Sequence, residues 1–575
     1  MDLAAHAAAA ERGHRDRSGP SLRSTRPGGR CGRRGGVSQC RHGVARGVQQ
    51  DEGLRLRARQ ARPRQRGHGA LREAGRDRAA LRHPSGDVGL RGGDAQPRVR
   101  TPRGRRILAA PRRAGGHVRR ARLVPRSVGD GTAGAHARAR RHAGTASLVR
   151  GAGAPTRRER AKSRRERAAA AWALRDELVL IGAGSVLPVP GGADQTYPFL
   201  AHAEYLWLAG HEIADAVLAF DPRDGWTDFV PPVTQAERVW EGRKDAPGTP
   251  LPELAGWLAA RRGRPVIGLG VSPPGLANDA VRGATLREQL MHARRPKDAH
   301  ELDLLRKACA ATAAGFRALV AALQAGVSER QLQVELELAF LRAGGDRTGY
   351  GTIVGVGSNS GVLHFTPGER VAKPGDVVLV DAGAEVGRYT ADVTRTYRLP
   401  GGDDGFFRSL HALVLSVERH AIAGCKPGTE WRDLHLAAAH EIAEGLVSLG
   451  LLVGSAESLV ERDTHALFFP HGLGHMVGLG VRDASGYLPG RERSARPGLA
   501  MLRTDLPLEK GYVMTVEPGI YFIPALLQDP ALRERHRDAV RWDRMDALMD
   551  FGGIRIEDDV LVTDAKPEVL TAAIP

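Results

Sequence analysis

The 575-residue chain holds 85 Lys and Arg against 65 Asp and Glu, a formal net charge of +20 that by itself suggests a nucleic-acid or membrane-surface binder. That average misleads: residues 1–160 hold 39 Arg, no Lys and 11 Asp and Glu, a surplus of +28, while the remainder holds 46 basic and 54 acidic residues. No run of 18 apolar residues predicts a membrane span, and four cysteines without a C-x-x-C spacing argue against a disulfide framework or a cysteine zinc site.

Residues 1–160 contain no Phe, Trp, Tyr or Asn, as in "RRAGGHVRRARLVPR". Such a leader cannot bury enough apolar surface to offset its ordering entropy, so disorder is expected. A basic arm for acidic partners and a targeting peptide are the two functional readings. The preferred one is a start site set too early in a GC-rich gene, because Arg without Lys follows codon composition. No apolar signal segment lies near Met1, and a reducing cytoplasm is the expected compartment.

Foldable sequence begins near residue 160. "RRERAAAAWALRDELVLIGAG" predicts a helix and then a strand. The apolar runs "YLWLAG", "AVLAFDP" and "PVIGLG" read as further strands, separated by helical stretches such as "LPELAGWLAARRG". Alternation of this kind predicts an α/β domain over 161–290. The character then changes. Asp298 and Glu301 form a capping box that opens a helix, and Gly326 marks its stop. Ser328 and Gln331 open a second helix that ends at Gly344 and Gly345. Strands follow in "GTIVGVG", "DVVLVDAG" and "RYTADVTRTYRL", then helices over about 405–424 and 430–450. The chain closes on the strands "YVMTVEPGIYF" and "GGIRIEDDVLVT". Residues 291–575 read as one α+β domain with an antiparallel or mixed sheet.

Acidic residues punctuate these strands. Asp381 ends the buried run Val377–Val380, and Asp392 follows 11 residues later beyond a glycine turn, so a hairpin could join them. Glu517 ends "VMTVE". Strand alternation sets Arg555 and Glu557 opposite Ile554 and Ile556. Any one of these acids alone is an ordinary turn or cap residue. Four at the ends of apolar strands are costly unless a cation or proton compensates. "HGLGHMVGLGVRD", residues 471–483, spaces two histidines four apart, but its glycines suit a strand or loop rather than a zinc helix. Four carboxylates and one imidazole suit two hard or borderline divalent ions, manganese first, with cobalt or zinc as alternatives.

These five segments, in this order, resemble the pita-bread metallopeptidases: methionine aminopeptidase, aminopeptidase P and prolidase. The resemblance covers about 165–575. It implies a creatinase/prolidase-type α/β N-terminal domain before a pita-bread catalytic domain, which selects the aminopeptidase P/prolidase branch. Creatinase shares the plan without the metal ligands and is disfavoured. Carried over, Asp381 would bind one metal and Asp392 would bridge. His475 and Glu517 would bind the other, and Glu557 would bridge. His364, in "GVLHFTP", and His471 would touch substrate, and Tyr521 and Arg555 would line or support the site. The implied reaction is hydrolysis of Xaa-Pro bonds by metal-activated water, with His364 or His471 stabilising the oxyanion and Glu517 accepting a proton. The expected substrates are proline-containing peptides, with Xaa-Pro dipeptides as the prolidase alternative. A non-catalytic pita-bread binding protein is the alternative of another class. A homodimer or higher homo-oligomer is expected, without membrane or nucleic acid.

One position departs from the pattern. Seven residues after His475, many Xaa-Pro peptidases carry another histidine; here it is Arg482. An arginine cannot shuttle protons at neutral pH, but it can hold a carboxylate bidentately. Arg482 is read as a clamp for a dipeptide carboxylate, as a salt bridge to Asp483, or as a change in activity. Asp194, Tyr197 and Trp207 are weighed as residues reaching across a dimer, with core packing favoured for Trp207. "DRMDALMD" (543–550) reads as an inserted helix covering the site. Cys309 and Cys425 read as buried thiols.

Overall fold

The computed structural model describes residues 156–271 and 279–575, so the reading of the leader lies almost wholly outside the described residues. The first described element is helix α1 (Arg157–Trp172), opened by a Thr156–Glu159 capping box. Strand β1 (Leu178–Gly182) follows, with every residue buried. Next come α2 (Ala203–Ala209), β2 (Val217–Asp221), β3 (Gly225–Val230), α3 (Gln235–Trp240), β4 (Thr249–Pro250), α4 (Leu254–Ala259), β5 (Val266–Gly270) and α5 (Ala280–Arg294). The strands form one mixed sheet in the order β4-β3-β2-β1-β5. β1 lies antiparallel to β2 and parallel to β5.

The run "YLWLAG" corrects the strand reading, because it lies in α2. His202 caps that helix and Gly210, at φ 71°, closes it in the left-handed region. A short, continuously apolar run has no period of its own and does not separate a buried strand from a buried helix. Trp207 is 1% exposed and its Nε1–H donates to Glu301 Oε1 at 3.1 Å. It is a core residue, whereas Asp194 and Tyr197 are exposed.

The second half opens on α6 (Ala299–Ala322) and α7 (Glu329–Arg342), both with the capping boxes read from the sequence. Then come β6 (Arg347–Thr348), β7 (Ile353–Val356), β8 (Val377–Asp381), β9 (Ala384–Val386), β10 (Tyr389–Thr390) and β11 (Thr394–Arg398). Helices α8 (Gly405–Gly424), α9 (Trp431–Ser448), α10 (Ala456–Glu461) and α11 (Pro497–Ala500) precede β12 (Val513–Val516) and β13 (Gly519–Tyr521). Three short helices, α12 (Pro524–Leu527), α13 (Pro530–Arg535) and α14 (Trp542–Asp546), lead to β14 (Gly553–Arg555), β15 (Asp558–Leu561) and β16 (Glu568–Val569). The ladders are antiparallel and grouped as β10-β9-β6, β11-β8-β7, β12-β15-β16 and β13-β14.

The stretch 543–550 differs from the expected site cover. Its helical part is only α14, whose Met545 is buried in the main core. Arg544 donates to the carbonyls of Leu449 and Gly450, so the segment is anchored at the end of α9. Cys309 and Cys425 are buried free thiols. Among the described residues no helix is long and apolar enough to cross a membrane.

The core carries a buried acid outside the candidate site whose proton bears on pH behaviour. Glu418 on α8 is 2% exposed; burial and the nearby charge of Asp558 push its carboxyl up to about 9. The folded chain therefore holds a proton that the unfolded chain releases near pH 4.5, so stability falls as pH rises through that window, by about 1.4 kcal/mol per unit at most. In Glu418→Gln the melting temperature should fall less between pH 5 and 9 than in the wild type. Parallel melting curves for the two proteins would rule this out.

Candidate metal centre

β8 and β11 pair with Asp381 opposite Thr394. A bridge then joins Thr394 to Glu557. Three carboxylates from separate segments meet there: oxygens of Asp381, Asp392 and Glu557 lie within 4.8 Å of one another, all buried. Asp392 sits two residues before β11 rather than inside it. The proposed hairpin is interrupted by β9 and β10, which fold out as a smaller hairpin of their own.

"HGLGH" runs extended along β12. Thr515 N–H donates to His475 O and Glu517 N–H donates to Leu473 O, both at 2.8 Å. His475 N–H donates to Thr515 Oγ1 at 3.0 Å. Gly474 is required by proximity, since a Cβ there would lie 2.0 Å from Thr515 O. This pairing brings His475 Nε2 within 3.4 Å of Asp392 Oδ2 and 3.8 Å of Glu517 Oε1.

The ring roles follow from the hydrogen bonds. His475 Nδ1–H donates to Met476 O at 3.1 Å, leaving Nε2 as a bare lone pair facing the carboxylates. Burial holds this imidazole down at about 3, so it is neutral at pH 7. His471 Nδ1–H donates to Gly472 O, and its Nε2 accepts from Tyr521 O–H, both at 2.9 Å. Both of its nitrogens are therefore engaged within the protein. Tyr521 accepts from Arg555 Nη1 at 2.9 Å. Arg555 also donates to Thr394 Oγ1 at 2.9 Å and pairs with Asp381 Oδ2 at 2.5 Å. His364 is exposed in part, with one side against the protein. Burial and the positive charges of Arg482, Arg503 and Arg555 keep it below its usual range.

Arg482 is exposed, with no hydrogen bond or ion pair among the described residues. The salt bridge to Asp483 is not formed. Asp483 points into the protein, at 2.6 Å from Arg294 and 3.0 Å from Lys297. Asp483 also accepts the Leu479 and Ala484 N–H groups within this bend, so its oxygens are turned away from Arg482.

Four participants were not read from the sequence. Tyr350 O–H donates to Asp381 Oδ1 at 2.7 Å. Thr394 O–H donates to Glu557 Oε2 at 2.6 Å. Asp559 Oδ2 accepts the Asp392 backbone N–H at 3.0 Å. Arg503 reaches to 3.7 Å from Glu517 Oε1. Thr394 and Asp559 lie in strands already singled out, and their alternation with Asp392 and Glu557 is the signal that could have found them. Tyr350 and Arg503 lie in loops with no such pattern.

The set fits divalent cations on its own chemistry. Burial and mutual repulsion push Asp392 and Glu557 far above the carboxylate range. Glu517 is raised to about 7, mainly by burial. Its Oε1 is buried without a hydrogen-bond partner. A neutral imidazole lone pair aimed at carboxylate oxygens is repulsive unless a cation or a proton lies between them. Oxygen donors with one nitrogen and no thiolate select hard or borderline ions.

Known proteins carry the same architecture. Residues 161–249 match the N-terminal domain of aminopeptidase P, and residues 303–564 match metallopeptidase family M24. The human Xaa-Pro dipeptidase is 34% identical over 302 residues, 52% of this chain and 61% of its own length, so the chain spans less than two thirds of that relative. The "Probable Xaa-Pro aminopeptidase PEPP" of Fusarium vanettenii is 32% identical over 408 residues, 66% of this chain and 86% of its own. Proline aminopeptidase P II from Yersinia pestis superposes with a TM-score of 0.59 at 26% identity, covering 73% of this chain and 97% of its own. Pseudomonas aeruginosa aminopeptidase PepP gives 0.58 at 26% identity, covering 72% and 95%. The chain belongs to metallopeptidase family M24, with an aminopeptidase P-type N-terminal domain ahead of a pita-bread metallopeptidase domain.

Proposed function

We propose that this chain is a divalent-metal-dependent peptidase that removes the first residue from peptides beginning Xaa-Pro. The observation that carries this reading is the buried set Asp381, Asp392 and Glu557, bordered by His475 and Glu517. Cations held by these five side chains would supply Lewis-acid charge and an activated water; manganese is assigned first, with cobalt or zinc as alternatives. The aminopeptidase reading is favoured over the dipeptidase because the likeness to aminopeptidase P includes the N-terminal half.

The side chains divide the work. Arg555 and Tyr350 fix the two oxygens of Asp381, beside which the free amine of the substrate would sit. Glu517, with its unpartnered Oε1, accepts the proton of the attacking water. His364, kept neutral by burial and three nearby cations, donates an N–H to the developing oxyanion. His471 touches substrate less directly, since Tyr521 and Gly472 occupy its nitrogens. A manganese-loaded protein that cleaves no Xaa-Pro peptide would overturn the reading. A purely peptide-binding role would leave peptides bound but intact.

Arg482 is where dipeptide and longer substrates part. Its guanidinium, without a hydrogen bond or ion pair among the described residues, lies near enough to His364 that its charge, like that of Arg503, depresses the imidazole. Arg482→His should lower kcat/KM for Xaa-Pro by about ten- to a hundred-fold, the worth of a charge-assisted hydrogen bond. Xaa-Pro-Yaa should be nearly unaffected. Equal losses on both substrates would remove Arg482 from carboxylate binding.

A cytoplasmic site of action is supported by the two free thiols. A homodimer is supported by Leu187 and Tyr197, 66% and 52% exposed on one hairpin.

A further inference from the structure

Against "HGLGH" packs a histidine that no part of the proposed reaction uses. His435 belongs to α9 and is 1% exposed. The Leu473 N–H donates to its Nδ1 at 3.2 Å. Nδ1 is therefore the bare nitrogen, and the proton sits on Nε2, which donates to Gly498 O at 2.7 Å. The ring is thus a neutral imidazole in one defined tautomer. Burial, which holds it down at about 4, agrees with this state.

Leu473 is the middle residue between His471 and His475. Its carbonyl accepts the Glu517 N–H at 2.8 Å. One residue therefore links three things: its N–H to His435, its carbonyl to Glu517, and its chain neighbours to both site histidines. Phe469 carries a second contact, with ring centroids 5.4 Å from His435 and 5.0 Å from His471. The far end of the strut is fixed as well. Gly498 N–H donates to Asp463 Oδ1 at 3.3 Å, and a Cβ there would lie 2.7 Å from both Asp463 Oδ1 and His465 Nε2. An apolar side chain could fill the volume of the His435 ring, but it could not take the Leu473 hydrogen bond.

We propose that His435 is a positioning residue of the active site, which holds the Leu473 peptide and through it sets His475 and Glu517 in ligand geometry. The inference rests on the proposed metallopeptidase reading. A group that orients a metal's ligands from behind typically changes metal affinity or turnover by about 10–100-fold.

Three substitutions separate this role from packing. His435→Asn keeps an acceptor at the Nδ1 position. His435→Gln reaches Gly498 but offers nothing at Nδ1, and His435→Leu keeps volume alone. Manganese dissociation constants, measured by equilibrium dialysis on the full chain, should rise at least ten-fold in the Gln and Leu variants and stay within three-fold in Asn. Turnover on Xaa-Pro-Yaa should follow the same order, with kcat falling and KM within a few-fold of the wild type. Wild-type affinity in Gln, or an Asn variant as weak as Gln, would overturn the proposal. If Leu fails to fold, the Asn–Gln comparison still decides. A wild type that binds manganese but cleaves nothing would sink the functional reading, while the binding series still judges His435.

Discussion

Asp392→Ala should bind no stoichiometric divalent metal and should lose at least about three orders of magnitude in turnover, since metal charge stabilisation is worth several kcal/mol and each 1.4 kcal/mol is ten-fold. The side chain lies where three buried carboxylates meet, facing His475. Its backbone is pinned separately by Asp559, so the strand path should survive. The stability effect runs the other way. Without metal, Asp381, Asp392 and Glu557 repel one another in a buried site, and removing one relieves that repulsion. Chelator should therefore lower the melting temperature of the wild type and leave Asp392→Ala unchanged. Metal per chain by elemental analysis, with melting curves with and without chelator, checks both arms. A variant that keeps two equivalents of metal would end the bridging assignment.

Asp483→Ala should be strongly destabilising although it lies outside the centre, by about 3–5 kcal/mol, the usual result of stripping one partner from a buried ion pair. Arg294 and Lys297 are 4% and 7% exposed and would remain buried without their carboxylate. At present the two cations hold Asp483 well down at about 2 against its own burial. The neighbouring Arg482→Ala provides the contrast. Exposed and unpaired, it should change stability by no more than about 0.5 kcal/mol. Urea unfolding midpoints of the two variants measure the difference. A small loss in Asp483→Ala would mean that water reaches the pair.

Much of the architecture was legible because it is written locally. The capping boxes at Asp298 and Ser328 mark helix starts by spacing alone, and the structure has both. "VVLVD" and "VMTVE" announce strands by apolar runs that end on an acid, and those acids converge. Local signals failed where identity depends on what lies across space. "YLWLAG" has no period that distinguishes a buried helix from a buried strand. Arg482 and Asp483 are adjacent in sequence yet face solvent and core respectively. Arg503, Tyr350 and His435 sit on elements with no pattern that points at the acids, and only the packing of α9 against "HGLGH" puts His435 in reach of Leu473.

One feature of the packing bears on how the chain can be divided. Trp172, Trp207 and Leu290 from the first half share a single apolar cluster with Leu305, Tyr389 and Leu479 from the second. Across that seam Trp207 Nε1–H and Tyr389 O–H both donate to Glu301 Oε1. The two sequence domains therefore share one apolar seam. Each half covers apolar surface of the other where they meet, surface that a separated half would expose to water. The aminopeptidase P-type domain thus buttresses the metallopeptidase domain from outside, through contacts that neither family match, 161–249 or 303–564, contains by itself.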